Sequence, residues 1–178
     1  VNSINRIHES KCDNKDIDLS WAYKQKVLER LDHYKDLYKK LKINVDVCKR
    51  LTDVDFTYSY GRIHGDPVFT NVFIDSPYCK FIDCRGAWDN EMTNSGDLDY
   101  DYAKILQSLY GYDYALHNEP IQDHYLTSMR LYYLDQIKHL VNLDQLKIKT
   151  KLLFISMIPF HKEDIQRCER FEKIISTI

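Results

Sequence analysis

Glycine and proline are scarce, at five and four in 178 residues, and no glycine precedes Gly61. The first sixty residues therefore hold no glycine-rich loop able to cover a phosphate chain, and no Val-Ala-Ile-Lys-like strand runs through them. Cysteine occurs five times, as Cys12, Cys48, Cys79, Cys84 and Cys168. That odd number, with no Cys-x-x-Cys pair, argues against both a disulfide framework and a zinc knuckle. No apolar run is long enough to span a bilayer, and the start carries no signal-peptide pattern, so cytoplasm is the default compartment. A net charge of only −2 removes the electrostatic case for nucleic acid as the main partner. Neither an internal repeat nor a low-complexity segment is present.

What is present is material for one domain with a sizeable core, since 44% of the residues are apolar and tyrosine is abundant. A polar opening with Lys11, Asp13, Lys15, Asp16 and Asp18 reads as loop. From about Trp21 to Lys42, Val27, Leu28, Leu31, Tyr34, Leu37, Tyr38 and Leu41 recur at three- and four-residue steps, which predicts one helix with one buried stripe. A short helix is expected over Val45 to Leu51. Asp97 reads as the N-cap of a helix over Leu98 to Tyr110 that Gly111 stops. Pro120 opens a longer helix through about Val141, Asp144 caps another to roughly Met157, and Pro159 separates it from an amphipathic segment over Glu163 to Ser176. Val72 to Asp75 and Cys79 to Asp83 are short β-branched and aromatic runs joined by Ser76-Pro77-Tyr78, a hairpin signature. The fold class is mainly α with a small β-hairpin. The Lys147-Ile-Lys-Thr-Lys151 cluster reads as a solvated helix face.

One constellation reads as chemistry. His64-Gly65-Asp66 is followed by Asn71 five residues after Asp66 and by Asp83 at the end of an apolar run. Phosphoryl transfer consists largely of placing Mg²⁺ on the phosphate oxygens and of one group that orients the attacking hydroxyl and takes its proton. A loop with this spacing puts Asp66 near the incoming hydroxyl and brings the Asn71 amide oxygen to a metal. The hairpin returns Asp83 to the loop as a carboxylate ligand for Mg²⁺, a hard cation that prefers oxygen donors. His64 is a catalytic candidate in the same loop, and a structural hydrogen-bonding role is its alternative.

The stretch Arg62-Ile-His64-Gly65-Asp66-Pro67-Val-Phe-Thr-Asn71, then Phe81-Ile-Asp83-Cys-Arg85-Gly86, then Gly96-Asp97-Leu-Asp-Tyr-Asp101-Tyr-Ala-Lys104 resembles the aminoglycoside phosphotransferase and choline kinase family. The resemblance covers roughly residues 55 to 110. It implies the large lobe of a protein-kinase-like fold, with ATP bound between two lobes, Asp66 as catalytic base, and Asn71 and Asp83 as Mg²⁺ ligands. It also implies that Asp101 braces the catalytic loop from a helix start. Gly65 stands where protein kinases carry the Arg that receives an activation-loop phosphate, so control by such phosphorylation is not expected. Cys84-Arg85-Gly86 follows the metal Asp without the Phe of Asp-Phe-Gly. The nucleotide lobe is missing, and Val1 is not an initiator Met, so the chain is expected to be the C-terminal catalytic lobe of a longer protein and inactive alone.

The expected activity is ATP- and Mg²⁺-dependent O-phosphotransfer to a small hydroxyl-bearing molecule, whether an amino alcohol, an aminoglycoside-like compound or a sugar. A catalytically inactive kinase-derived scaffold and an atypical protein kinase stay as alternatives, and a homodimer stays open as a further partnership. The Phe-Ile-Asp-Cys-Arg-Gly exit looks closer to the branch found beside polysaccharide and capsule genes than to drug-resistance enzymes. From Asp83 to Asp101 there are six acidic residues against Arg85 alone, so the acceptor pocket is expected to attract an amine or a polyol. Arg85 is read either as a contact to a phosphate or acidic substrate group or as a partner of Asp89. Tyr100, Tyr102, Tyr110, Tyr112 and Tyr114 form a candidate aromatic box for a cation, with ordinary packing as the alternative.

Overall fold

The computed structural model describes residues 1–13, 15–75 and 78–178. The architecture is mainly helical with small antiparallel sheets. Three helices come from segments whose caps are legible in the side chains. Asn44 accepts the Val47 N–H at 3.1 Å to start α4 (Val45–Thr52). Asn142 accepts the N–H groups of Asp144 and Gln145 at 3.1 Å to start α8 (Leu143–Met157), so the cap is Asn142 rather than Asp144. Asp164 accepts the Arg167 N–H at 3.0 Å to start α9 (Ile165–Thr177).

The long stripe over 21–42 is divided between two helices. Turns lead into α2 (Gln25–His33), and the chain bends at Tyr34, at φ −112 and ψ 30, before α3 (Lys35–Lys40). Both pieces bury the expected face, through Val27 and Leu31 on α2 and Tyr38 on α3. The apolar period survives the bend because Tyr38 docks separately, donating its hydroxyl to the Ile155 carbonyl of α8 at 2.8 Å. A helix without a sequence expectation, α1 (Asn2–His8), lies before the polar opening and buries Ile4, and the described residues of 11–18 are non-helical as expected.

The helix predicted from Asp97 is α5 (Leu98–Leu109), and Gly111, in the left-handed region at φ 99, ends that course and opens a short α6 (Tyr112–Leu116). The helix predicted from Pro120 is α7 and runs Asp123–Ile137. α5 packs along α8, and Leu106, Leu109, Leu146, Leu152, Phe154 and Phe171 are buried in the core they share with α9.

Three antiparallel pairs replace the single expected hairpin. β1 (Tyr60–Arg62) pairs with β6 (Ser95–Asp97), β2 (Val72–Asp75) with β3 (Tyr78–Phe81), and β4 (Ala87–Trp88) with β5 (Glu91–Met92). The predicted hairpin is β2–β3, in register Val72 to Phe81 and Asp75 to Tyr78. Its expected turn falls on Ser76 and Pro77, which lie outside the described residues. The β1–β6 pair joins the approach to His64 directly to the start of α5.

Candidate functional site

The loop after β1 is held from below by α5. Asp101, fully buried in the first turn of that helix, accepts the backbone N–H groups of His64 and Gly65, each at 2.8 Å, and faces the His8 Nε2 at 3.1 Å. Two convergent main-chain donors on one carboxylate fix the loop's direction, and hydrogen bonds to a charged acceptor are about twice as strong as neutral ones. Gly65 sits at φ +82, and a Cβ there would lie 2.6 Å from the Arg85 Cβ, so both the backbone angle and the space demand glycine.

The segment after β3 is tied to the same loop by backbone bonds. The Ile82 N–H donates to the Asn71 carbonyl at 3.0 Å and the Arg85 N–H to the His64 carbonyl at 2.9 Å. Asp83 lies between these two anchors at φ 57, an angle that Asp tolerates better than most residues. The Asn71 side-chain amide donates to the Asp66 carbonyl at 3.0 Å, which engages its nitrogen and leaves its oxygen, an acceptor with no hydrogen bond among the described residues, open to a metal.

Asp66 and Asp83 line one cavity of about 340 Å³, within the size range of small-ligand sites. Asn71 is outside that lining and joins it through Asp66. The Lys104 Nζ, from the second turn of α5, stands 2.9 Å from Asp66 Oδ1. This contact is one of charge rather than an aligned hydrogen bond, because Oδ1 has no hydrogen-bond partner among the described residues. Burial is the largest single influence on the Lys104 ammonium and disfavours it, but Asp66 together with Tyr100 and Tyr112 outweighs that penalty and raises its pKa above the ordinary lysine value.

His64 is buried and is not among the residues lining the cavity. Its Nδ1 accepts the Asp66 N–H at 3.3 Å and its ring packs on Phe81, with centroids 5.4 Å apart. The geometry gives it a bracing contact to Asp66. Its Nε2 is buried with no partner among the described residues.

Several sequence expectations change here. Asp97 occupies the position before α5 but makes no side-chain cap bond. Its carboxylate accepts the Ser59 N–H at 3.0 Å, the Tyr23 hydroxyl at 2.9 Å and the Lys149 ammonium at 2.8 Å. Lys149, expected on a solvated face, is fully buried; it also contacts Asp99 at 2.7 Å and the Thr57 carbonyl at 2.8 Å, with the rings of Tyr23, Phe56 and Tyr58 around it. Arg85 makes no ion pair with Asp89 among the described residues. Its guanidinium donates to the Tyr100 hydroxyl at 2.7 Å and lies over the Trp21 and Tyr100 rings.

The tyrosines do not assemble into one box. Tyr102 donates to Asn5 Oδ1 at 2.7 Å, Tyr110 packs under Arg130, and Tyr100 and Tyr112 line the cavity, whereas Tyr114 lines another. Of the six acids expected around the acceptor only Asp83 lines the cavity, and its wall is mainly cationic, with Lys26, Arg30, Arg85 and Lys104 against Asp66 and Asp83. Lys26 and Arg30 had no sequence role. Their only signal was the i, i+4 spacing that places both on one face of α2.

Among the described residues no three His, Cys, Asp or Glu side chains gather into a metal cage. The oxygen donors of Asn71 and Asp83 nevertheless suit Mg²⁺, which keeps several waters and takes one or two protein carboxylates together with phosphate oxygens. No helix among the described residues is long and apolar enough to cross a membrane. All five cysteines are free thiols. No protein-family model, curated protein or solved structure matches the chain.

Proposed function

We propose that this chain is the catalytic lobe of a kinase-like phosphotransferase of the aminoglycoside phosphotransferase and choline kinase type, moving the γ-phosphoryl group of ATP to a hydroxyl of a small molecule. The observation that carries the reading is the convergence of separate segments on one loop. Asp101 grips the amides of His64 and Gly65, the Asn71 amide holds the Asp66 carbonyl, and Asp83 shares the Asp66 cavity.

In this reading Asp66 orients the acceptor hydroxyl and takes its proton on a carboxylate oxygen, as a general base within a walled cavity. Lys104 holds that carboxylate in place and keeps a positive charge beside the reacting oxygens, where a preorganised cation is worth far more than in water. Asn71 and Asp83 would hold Mg²⁺, which when bound neutralises charge on the transferred phosphate. The nucleotide lobe, absent from these 178 residues, belongs to the same proposal.

The test is phosphate transfer from labelled ATP to a panel of amino alcohols, aminoglycosides, sugars and peptides, using the protein that carries this chain together with a nucleotide lobe. Asp66→Ala should lower turnover by about 10²- to 10⁴-fold, with circular dichroism unchanged. Unchanged turnover in that variant would remove Asp66 from its role, and transfer to peptides alone would favour a protein kinase. No transfer to any acceptor in the presence of Mg²⁺ would leave the scaffold reading.

A further inference from the structure

Part of the wall of the Asp66 cavity is built by α2, by the end of α8 and by the turn that follows it, through Lys26, Arg30, Ser156, Met157, Phe160 and His161. Lys26 is unusual there. It is 7% exposed, and its ammonium has neither a hydrogen bond nor a carboxylate within ion-pair distance among the described residues; its one close companion is the Trp21 ring, 5.2 Å from Nζ. The stem is buried while Nζ opens on the cavity, so the ammonium is poorly solvated and lacks an anion of its own, which favours a ligand that brings one. Burial first, and then the charges of Arg85, Arg30 and Lys104, push its pKa well below the ordinary lysine value.

Arg30 is fixed one turn further along α2. Its guanidinium donates to the Ser156 carbonyl and lies 4.3 Å from the centre of the Phe160 ring, an arrangement that orients the group before any ligand arrives. Arg85 is likewise fixed, on the Tyr100 hydroxyl. Four cations therefore surround a space that offers only two carboxylates, one of them already facing Lys104. Such a surplus repels an amine. It suits an anion, above all a phosphate monoester, whose three terminal oxygens take donors from several directions.

We infer that the acceptor is itself an anionic small molecule, a phosphate-bearing polyol or sugar, whose existing phosphate is seated by Lys26, Arg30 and Arg85 while its free hydroxyl faces Asp66. This deepens the phosphotransferase reading and rests on it for the word acceptor. The seat for a phosphate group stands on the cavity alone. The nucleotide's phosphates share that chemistry, so the experiment separates the two sources.

Inorganic phosphate, glucose 6-phosphate and glucose are titrated, at low salt and by calorimetry, against the protein that carries this chain together with a nucleotide lobe, without and with saturating Mg·ADP. The expected result is that the two phosphate-bearing probes bind and glucose does not, and that Mg·ADP leaves this binding in place. Lys26→Met and Arg30→Gln should each weaken it at least tenfold, with melting curves showing a retained fold; methionine fills nearly the same space as the buried lysine stem and removes a poorly solvated ammonium, so that variant stays interpretable. Three results overturn the inference: no phosphate binding by the unmutated protein, binding as tight in Lys26→Met and Arg30→Gln, or displacement by Mg·ADP. Asp66→Asn should bind the phosphate probes at least as well as the unmutated protein. Failure of the anion seat is thereby distinguishable from failure of phosphoryl transfer, which the Asp66 turnover test reads separately.

Discussion

Replacing Lys149 with methionine should destabilise the protein by about 3–5 kcal/mol at pH 7, the usual cost of removing one member of a buried ion pair. The side chain is fully buried on α8 and has three oxygen partners, Asp97 and Asp99 at 2.8 and 2.7 Å and the Thr57 carbonyl at 2.8 Å. Methionine fills nearly the same volume, so the loss is electrostatic: two carboxylates and a carbonyl keep their burial and lose their counter-charge. For a chain of this length, that free energy corresponds to a drop in Tm of about 6–20 °C. The pH dependence carries the sharper test. Burial, with Asp97 nearby, already raises the Asp99 pKa in the intact protein despite Lys149. A carboxylate whose folded pKa lies above its unfolded value stabilises the fold when protonated, and that contribution is lost as pH rises through the folded pKa. Without Lys149 the Asp99 pKa climbs further, so the deficit of Lys149→Met should shrink on acidification towards the carboxylate range, and Asp99→Asn in the same background should restore part of the loss at pH 7. Urea unfolding of the single and double variants at pH 7 and pH 5 measures both effects. A deficit below about 1 kcal/mol, or one identical at the two pH values, would refute the assignment of Lys149 as the counter-charge.

Asp101→Ala should cost about 2–5 kcal/mol in urea unfolding, because it leaves the buried N–H groups of His64 and Gly65 without their acceptor; Asp101→Asn, which keeps one acceptor oxygen, should lose less. A cost below about 1 kcal/mol for the alanine variant would mean that the loop holds itself without α5. Gly65→Ala should destabilise by about 2 kcal/mol or more, since it combines a left-handed backbone angle with a 2.6 Å approach to Arg85 Cβ. A neutral result, read from the same unfolding curves, would show that Arg85 gives way freely.

The chemistry of the loop was legible because its residues are close together in the chain. His64 to Asn71 span eight positions, and the alternating apolar run that follows specifies a tight hairpin, so the return of Asp83 follows from local rules of strand and turn. The helices over 98–109, 143–157 and 165–177 were legible for a similar reason, since their start and stop signals, Asp97 with Gly111 and Asp144 with Pro159, lie at their own ends, and the last carries its apolar period within itself. The break at Tyr34 was hidden because the two pieces keep one continuous stripe, and the stripe records which face is buried rather than where the axis bends. Lys149 was misread because in a Lys-Ile-Lys-Thr-Lys run the middle lysine shares its spacing with solvated neighbours. Only the arrival of Asp97 and Asp99, about fifty residues earlier in the chain, makes its burial affordable.

The reversal in the character of the cavity follows from the same distinction between neighbours in sequence and neighbours in space. The six acids between Asp83 and Asp101 suggested a pocket for a cation, yet the fold assigns them to other tasks. Asp97 and Asp99 neutralise Lys149, Asp101 holds two main-chain amides, and Asp89 and Glu91 are exposed around the β4–β5 turn, Glu91 within 3.5 Å of Lys15. Of the six, Asp83 alone reaches the cavity. The cations that face it are Arg85 from the stretch itself, Lys26 and Arg30 from α2, more than thirty residues before the loop, and Lys104 on the helix that also carries Asp101. A net charge summed over a stretch of sequence therefore says little about the field at a site when most of its members are paired internally. The decisive group is one that lines the site and has no ionic or hydrogen-bonding partner among the described residues, and Lys26 fits that description.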